Sequence, residues 1–289
     1  MKSYLFIGLT LLTSAAFAQP KVYKQAVIST TTNVIAPEDE GMDNMQGGGD
    51  MGGRMSFRNM MDGETKFVTY LKGDKIKTTI KSEMGKSAIY RDNIQKTTTT
   101  VIEMMGSKNG FFTTDEEQAD MQKRRDSMMA LRRSKDSSGR SFSNNDRNNV
   151  TTDISYTEES KNIAGFKCKK AYLITTRILG IKDSSVIWYT PEFKLDNVSY
   201  TGSLNNMPMM GNMAPTLNGL DKINGFVMAY ETKMRRNRLV QVEVTKVELE
   251  KAIDDKEFEI SKDIEIKPMK EMQMMFRGGG NGGFRGGRD

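Results

Sequence analysis

A two-residue alternation of apolar and polar side chains recurs along much of the chain and constrains its fold more than any other feature. After a turn at Gly73-Asp74, Ile76, Thr78 and Ile80 alternate with lysine and threonine through residue 81. Successive side chains of a β-strand point to opposite faces of the sheet, so this pattern predicts strands with one buried and one wet face. Short turns between such strands predict antiparallel neighbours. The sequence therefore predicts a mainly β, α+β fold.

The second half of the chain repeats the alternation over longer segments. Phe166, Cys168, Tyr172 and Ile174 share one parity, which predicts that the single cysteine is a core residue. A later strand is predicted where Phe226, Met228 and Tyr230 alternate with Val227, Ala229 and Glu231, and Trp188 falls in another strand, residues 185–190. In residues 239–249 the apolar parity changes between Val244 and Val247. That change predicts a β-bulge near Thr245 or Lys246 that bends the strand.

One helix is predicted, over residues 115–133. Thr114 and Glu117 form a capping box, acidic residues occupy the first turn, and basic residues occupy the last turn. Met121, Met128 and Leu131 recur at spacings of seven and three, which predicts a narrow apolar stripe lying across one side of the sheet.

The chain begins with the features of a secretory signal peptide. Lys2 precedes an apolar stretch from Tyr4 to Leu12 and the small residues that end at Ala18, so we expect cleavage near Ala18 and a periplasmic or extracellular location. The apolar stretch is too short to span a bilayer, and no later segment comes close, so no transmembrane segment is expected. Residues 19–267 are predicted to form one β domain. Segments poor in β-branched residues are predicted to be disordered or polar connections: an insertion over 38–63, a linker over 134–149 and a tail over 268–289.

The residue types present argue against an enzyme. Histidine is absent and Cys168 is the one cysteine, which removes the usual general base, the usual zinc ligand and every disulfide within the chain. Two glycine patterns, beginning at Gly47 and Gly278, match G-x-G-x-x-G, but neither lies between a predicted strand and helix. We therefore predict no catalytic residues, no metal site and no cofactor.

Methionine-rich segments provide an alternative function. Six methionines lie between Met42 and Met61 and four between Met207 and Met213, and thioether sulfur is a soft ligand suited to Cu(I). The simpler interpretation is that methionine is tolerated in flexible loops. The Gly/Arg-rich tail resembles segments that bind RNA, but an exported protein meets little nucleic acid, so no nucleic-acid partner is expected.

Several segments resemble an uncharacterised exported family related to the GLPGLI proteins. They are residues 72–76 (KGDKI), 162–171 (NIAGFKCKKA), 188–192 (WYTPE) and 225–228 (GFVM). That family resembles the lipoprotein carriers LolA and LppX. The resemblance implies a curved antiparallel half-barrel with one or two helices across its open side, enclosing an apolar cavity for acyl chains. It covers about residues 22–266, and the GLPGLI signature itself is represented only loosely, at residues 218–220 and 224–226.

The leading functional hypothesis is an exported, non-enzymatic binding protein that holds a lipid or another hydrophobic ligand in a curved β-sheet. The residues expected to line such a pocket are Phe166, Tyr172, Trp188, Phe226, Met228 and Tyr230. The alternative for these side chains is that they form the core. The competing functions are a methionine-rich copper-binding envelope protein and a surface module that binds an envelope protein partner.

Overall fold

The computed structural model describes residues 19–35, 63–83, 85–104, 106–135, 151–176, 180, 182–198, 219–233 and 238–271. In the first half, these residues form β1 (Lys21–Tyr23), β2 (Gln25–Ile35), β3 (Gly63–Lys72), β4 (Lys75–Ser82), β5 (Gly85–Asp92), β6 (Thr97–Met104), β7 (Ser107–Thr114) and α1 (Asp115–Lys135). The second half contributes β8 (Thr151–Ile163), β9 (Phe166–Thr176), β10 (Lys182–Thr190), β11 (Phe193–Leu195), β12 (Phe226–Lys233), β13 (Leu239–Leu249) and β14 (Ile266–Pro268).

Twelve strands form one large sheet that is curved and does not close on itself. Its order is β14-β7-β6-β5-β4-β3-β2-β13-β12-β10-β9-β8. Every neighbouring pair is antiparallel except β14 and β7, so the predicted mainly antiparallel architecture is confirmed. Two meanders therefore meet where β2 pairs with β13, while β1 and β11 form a separate two-stranded parallel sheet.

The cross-strand register places one row of side chains straight across six strands. Ile28, Thr69, Thr78, Ile89, Thr100 and Phe111 are successive pairing partners from β2 to β7. Directly paired residues project from the same face, so this row defines one side of the sheet, which we call the threonine face. Thr30, Thr32 and Thr113 share its parity on β2 and β7 and are buried. The threonine face thus combines hydroxyl groups with apolar side chains.

The buried apolar residues form two clusters. The first core lies on the threonine face and is built from these residues: Val34, Phe67, Ile80, Ile89, Ala171, Leu173, Ile187, Tyr189, Val227, Tyr230, Val240 and Val242, with Leu220 and Ile223 of a short 3-10 helix segment. The second core lies where β12 and β13 separate and is joined by Phe193 and Leu195 of the two-stranded sheet. The bulge predicted near Thr245 is confirmed, because the β13–β2 register shifts between Val244 and Lys246.

Helix α1 begins as predicted and ends two residues later than predicted. The capping box is confirmed: the Thr114 hydroxyl accepts from the Glu117 backbone N–H at 3.1 Å, and the Glu117 carboxylate accepts from the Thr114 N–H at 3.3 Å. The sheet strand that α1 contacts most is β7, which precedes it. Met128 and Leu131 are 47% and 64% exposed. The prediction that these two side chains pack across the sheet is therefore wrong, because the helix is anchored through its first turn.

A segment that we call the strap, residues 250–271, runs along the sheet face opposite the threonine face. The Lys72 ammonium donates to the Ile253 carbonyl and to Asp255, both at 2.9 Å, and Lys77 donates to Glu257 at 3.0 Å. The strap then adds β14 to β7 in parallel, with Ile266 opposite Gly110. It thus fixes the end of the described chain to β3, β4 and β7.

Several sequence predictions fall partly or wholly outside the described residues. The predicted signal peptide over 1–18 and the methionine-rich segments lie outside them. Of the predicted insertion over 38–63, Gly63 is described and begins β3. Residues 134 and 135 of the predicted linker over 134–149 end α1. Residues 268–271 of the predicted tail over 268–289 belong to β14 and the helical turn after it. No helix in the described ranges is long and apolar enough to span a membrane.

Candidate functional site

The six residues predicted to line a pocket do not share one face of the sheet. The β10–β12 register pairs Trp188 with Ala229 but Tyr189 with Val227, so Met228 is an extra residue in β12. This bulge reverses the parity of the strand. Tyr230 therefore lies on the threonine face opposite Ile187, whereas Phe226 projects from the other face. The single alternation inferred for Phe226, Met228 and Tyr230 is wrong for that reason.

Phe226 and Met228 are fully buried in the second core. The Phe226 ring stacks on the ring of Phe193 with centroids 5.1 Å apart, and the ring of Phe166 meets Phe193 edge-on at 5.0 Å. Phe193 belongs to β11, which pairs with β1. These aromatic side chains thus attach the small sheet to the large one.

Trp188 and Tyr172 project from the face opposite the threonine face, beside two lysines. The ammonium groups of Lys161 and Lys170 lie 4.7 Å and 5.9 Å from the Trp188 ring centroid, and Lys170 also lies 5.1 Å from the Tyr172 ring. A hydrogen bond from Lys170 to Tyr172 and a second to Glu159 raise the pKa of Lys170. The two aromatic rings therefore face paired cations.

Tyr230 is 5% exposed and belongs to the first core. It is the one member of the predicted six on the threonine face, where it pairs with Val242 of β13. Next to it, Thr232 and Ser185 are both buried, and their hydroxyl oxygens lie 2.7 Å apart. A second hydroxyl pair, Thr69 and Thr78, is 3.1 Å apart on β3 and β4. Two pairs of hydroxyl groups on this face are therefore hydrogen-bonded to each other.

The β5–β7 part of the threonine face offers the most varied chemistry, and we take it as the candidate site. Buried Ile89 and Thr100 lie beside Ile102 and Phe111, which are partly exposed. At the end of the same face, the Arg91 guanidinium donates to Asp115 at 2.9 Å and to Thr98 at 3.3 Å. Apolar side chains, hydroxyls and a cation thus follow one another across three strands.

Sequence reasoning missed this site because its threonines carried no distinguishing signal. The run Thr97–Thr100 predicts only a β-strand, since threonine is common in strands. Which of these hydroxyls is buried depends on register with β5 and β7, and that register depends on partners distant in the sequence. Parity places Thr98, Thr100 and Ile102 on one face of β6 and Thr99, Val101 and Glu103 on the other, but it does not say which face is the site.

The shifted pKa values of Cys168, Tyr189 and Asp115 follow from burial and from ion pairing. Burial raises the pKa of the Cys168 thiol to about 11, and burial also raises the pKa of Tyr189. Arg91 lowers the pKa of Asp115 by hydrogen bonding to it. Within the described ranges, no group of three or more His, Cys, Asp or Glu side chains is positioned to hold a metal ion.

Comparisons with known proteins add little to this description. No family model matches the sequence, and no curated protein matches it significantly. Two solved structures with some likeness are PNGF-II in the C2 and P21 space groups, with 12% and 14% sequence identity and a TM-score of 0.36 in both cases. Each match covers 88% of this chain but only 32% and 34% of the PNGF-II chain. A likeness at this TM-score supports no inference about fold or function.

Proposed function

We propose that this chain is an exported, non-enzymatic binding protein that holds a lipid or another hydrophobic ligand against the threonine face. The observation that carries the proposal is the β5–β7 end of the threonine face, where the partly exposed side chains of Ile102 and Phe111 share one face of a curved, open sheet with the Thr98 hydroxyl. Such a surface suits a ligand with an apolar chain and a polar end, because the chain would pack on apolar side chains and the polar end would hydrogen-bond to polar side chains.

Two further features support the proposal. The sheet is open at β8 and β14, as the half-barrel implied by the resemblance to LolA and LppX would be. The thiol that would be the strongest nucleophile in the described residues is buried, and its raised pKa keeps it protonated at neutral pH. We therefore extend the proposal to a carrier of the LolA type. The signal peptide predicted over residues 1–18 supports a periplasmic or extracellular location for it.

The role of the six residues first considered changes with their placement. Phe226 and Met228 are fully buried and support the fold from within the second core, so they are not exposed to a ligand. The contacts proposed for the ligand are instead Ile102 and Phe111, with Thr98 and Arg91 near the polar end.

The experiment is lipid extraction of the purified full chain with mass spectrometry, followed by titration with a fluorescent fatty acid. Phe111→Gln should weaken fatty-acid binding about tenfold, the loss expected when roughly 1.4 kcal/mol of apolar contact is removed. Phe112→Gln is the matched control, because Phe112 is also partly exposed but projects from the opposite face of β7. The proposal fails if no apolar molecule is extracted and no fatty acid binds, or if both variants bind equally.

A further inference from the structure

The distal part of α1, residues 123–135, is strongly basic. It contains six basic residues and one acidic residue: Lys123, Arg124, Arg125, Arg132, Arg133 and Lys135 against Asp126. The proximal part carries the remaining acidic residues of the helix, in and just after the first turn. The helix is therefore divided by charge along its length.

Ion pairs with the rest of the fold use acidic groups of the first turn. Asp115 is bound by Arg91 at 2.9 Å, and Glu117 is bound by Lys270 of the strap at 2.9 Å. These contacts tie the start of α1 to β5 and to the strap. They also pair acidic side chains whose negative charge would otherwise weaken the positive potential of the distal part.

Apolar side chains are exposed in the same part of the helix. Met128 and Leu131 are three positions apart, so they are neighbours on the helix surface, and both are substantially exposed. Lys123 and Arg124 are exposed as well. Basic side chains draw a helix to anionic headgroups, and apolar side chains exposed beside them can enter the acyl boundary.

We propose that residues 123–135 of α1 dock the protein on an anionic lipid surface. The cations draw this part of the helix to the headgroups, and Met128 and Leu131 enter the boundary below them. A soluble polyanion would use the same cations but gain nothing from Met128 and Leu131, so the exposed apolar pair favours a lipid surface. The inference is independent of any ligand on the threonine face.

The first test is co-sedimentation of the full chain with two vesicle types. One contains phosphatidylcholine with roughly 30% phosphatidylglycerol, and the other contains phosphatidylcholine alone. We expect binding to the anionic vesicles, weakened by salt at about 0.5 M because surface charges are then screened over a few ångströms. Equal binding to both vesicles, or binding to neither, overturns the proposal.

Two double variants separate the charge from the apolar anchor. Lys123→Gln/Arg124→Gln should reduce binding to anionic vesicles about thirtyfold, and Met128→Gln/Leu131→Gln should reduce it about tenfold. Lys167→Gln/Lys182→Gln removes two exposed lysines from β9 and β10 and is the matched control, expected to bind within about twofold of the parent. Circular dichroism verifies that each variant keeps the fold.

Heparin provides the competing polyanion. Vesicle binding that survives Met128→Gln/Leu131→Gln unchanged, in a chain that also binds heparin, identifies a polyanion site and overturns the lipid proposal. The fluorescent fatty-acid titration of the same variants should be unchanged. Loss of vesicle docking and loss of the threonine-face ligand are therefore distinguishable.

Discussion

The side chain of Ile266 on β14 lies against Gly110 on the neighbouring strand β7. A methyl group built on Gly110 would collide with the Cδ1 atom of Ile266 and would approach the Glu265 carbonyl oxygen to 3.2 Å. Glycine at this position therefore sets how closely the strap can approach the sheet, and the strap in turn brings Lys270 to Glu117 of α1.

Gly110→Ala should lift β14 away from β7 and lower the free energy of unfolding by about 1–3 kcal/mol, the usual cost of overpacking. Urea unfolding measures this loss. In the Ile266→Ala background the added methyl finds space, so the effect of Gly110→Ala should shrink to less than half. Ser107→Ala, at an exposed position of the same strand, is the control. Additive effects of the two substitutions would contradict the proposed contact.

Phe226→Ala should cost about 3–5 kcal/mol of stability, because it removes a fully buried ring that stacks on Phe193. Chemical denaturation followed by circular dichroism measures the loss. Tyr156→Ala is a suitable comparison, since that ring is half exposed and should cost much less. A loss of fatty-acid binding by Phe226→Ala without loss of stability would return this residue to the ligand site.

The buried hydroxyl pair between β10 and β12 provides a test of polar satisfaction. Thr232→Val leaves the Ser185 hydroxyl buried beside a methyl group and should cost about 1–3 kcal/mol. The double variant Ser185→Ala/Thr232→Val removes both polar groups and should recover much of that loss. A double-mutant cycle by urea unfolding measures the coupling, and a double variant as unstable as the sum of the single ones would refute it.

The thiol of Cys168 should resist alkylation in the folded chain. At pH 8 a pKa of about 11 in place of the ordinary 9.0 leaves roughly a hundredfold less thiolate, and burial slows the reaction further. Iodoacetamide labelling followed by mass spectrometry measures the rate. Labelling should become fast in urea, and equal rates in the folded and unfolded chain would show that the thiol is accessible.

The strap should loosen on acidification. Lys72 lowers the pKa of Asp255 below its ordinary value of 3.8, so the folded state binds a proton there less readily than the unfolded chain. The stabilising contribution is therefore present above the unfolded-state pKa and disappears as the pH falls through the lowered folded-state pKa. Asp255→Asn should flatten the dependence of Tm on pH below about 4, whereas Asp120→Asn on α1 should leave it unchanged. Unaltered acid sensitivity in Asp255→Asn would exclude this ion pair as a cause.

The sequence predicted those features that depend on local alternation. Val244 and Val247 differ in parity, and this signalled the bulge that the β2–β13 register shows. The bulge at Met228 had no such signal, because residues 226–230 are all buried and no polar side chain marks which face is which. Parity alone was also insufficient in β9. In that strand Cys168 is buried on one face, whereas Ala171 and Leu173 are buried on the other face, because different elements pack against the two parts of the strand.

The pairing of β2 with β13 has a consequence for how the chain folds. The Thr245 hydroxyl donates to the Ser29 carbonyl, and these residues are 216 positions apart. The middle of the sheet is thus completed by β13, the next-to-last strand of the described residues. Contacts of such sequence separation slow folding, since a long loop must close before they form. Until β13 arrives, the β2 edge stays unpaired and open to strands of other molecules, so that edge is where a folding helper would be needed most.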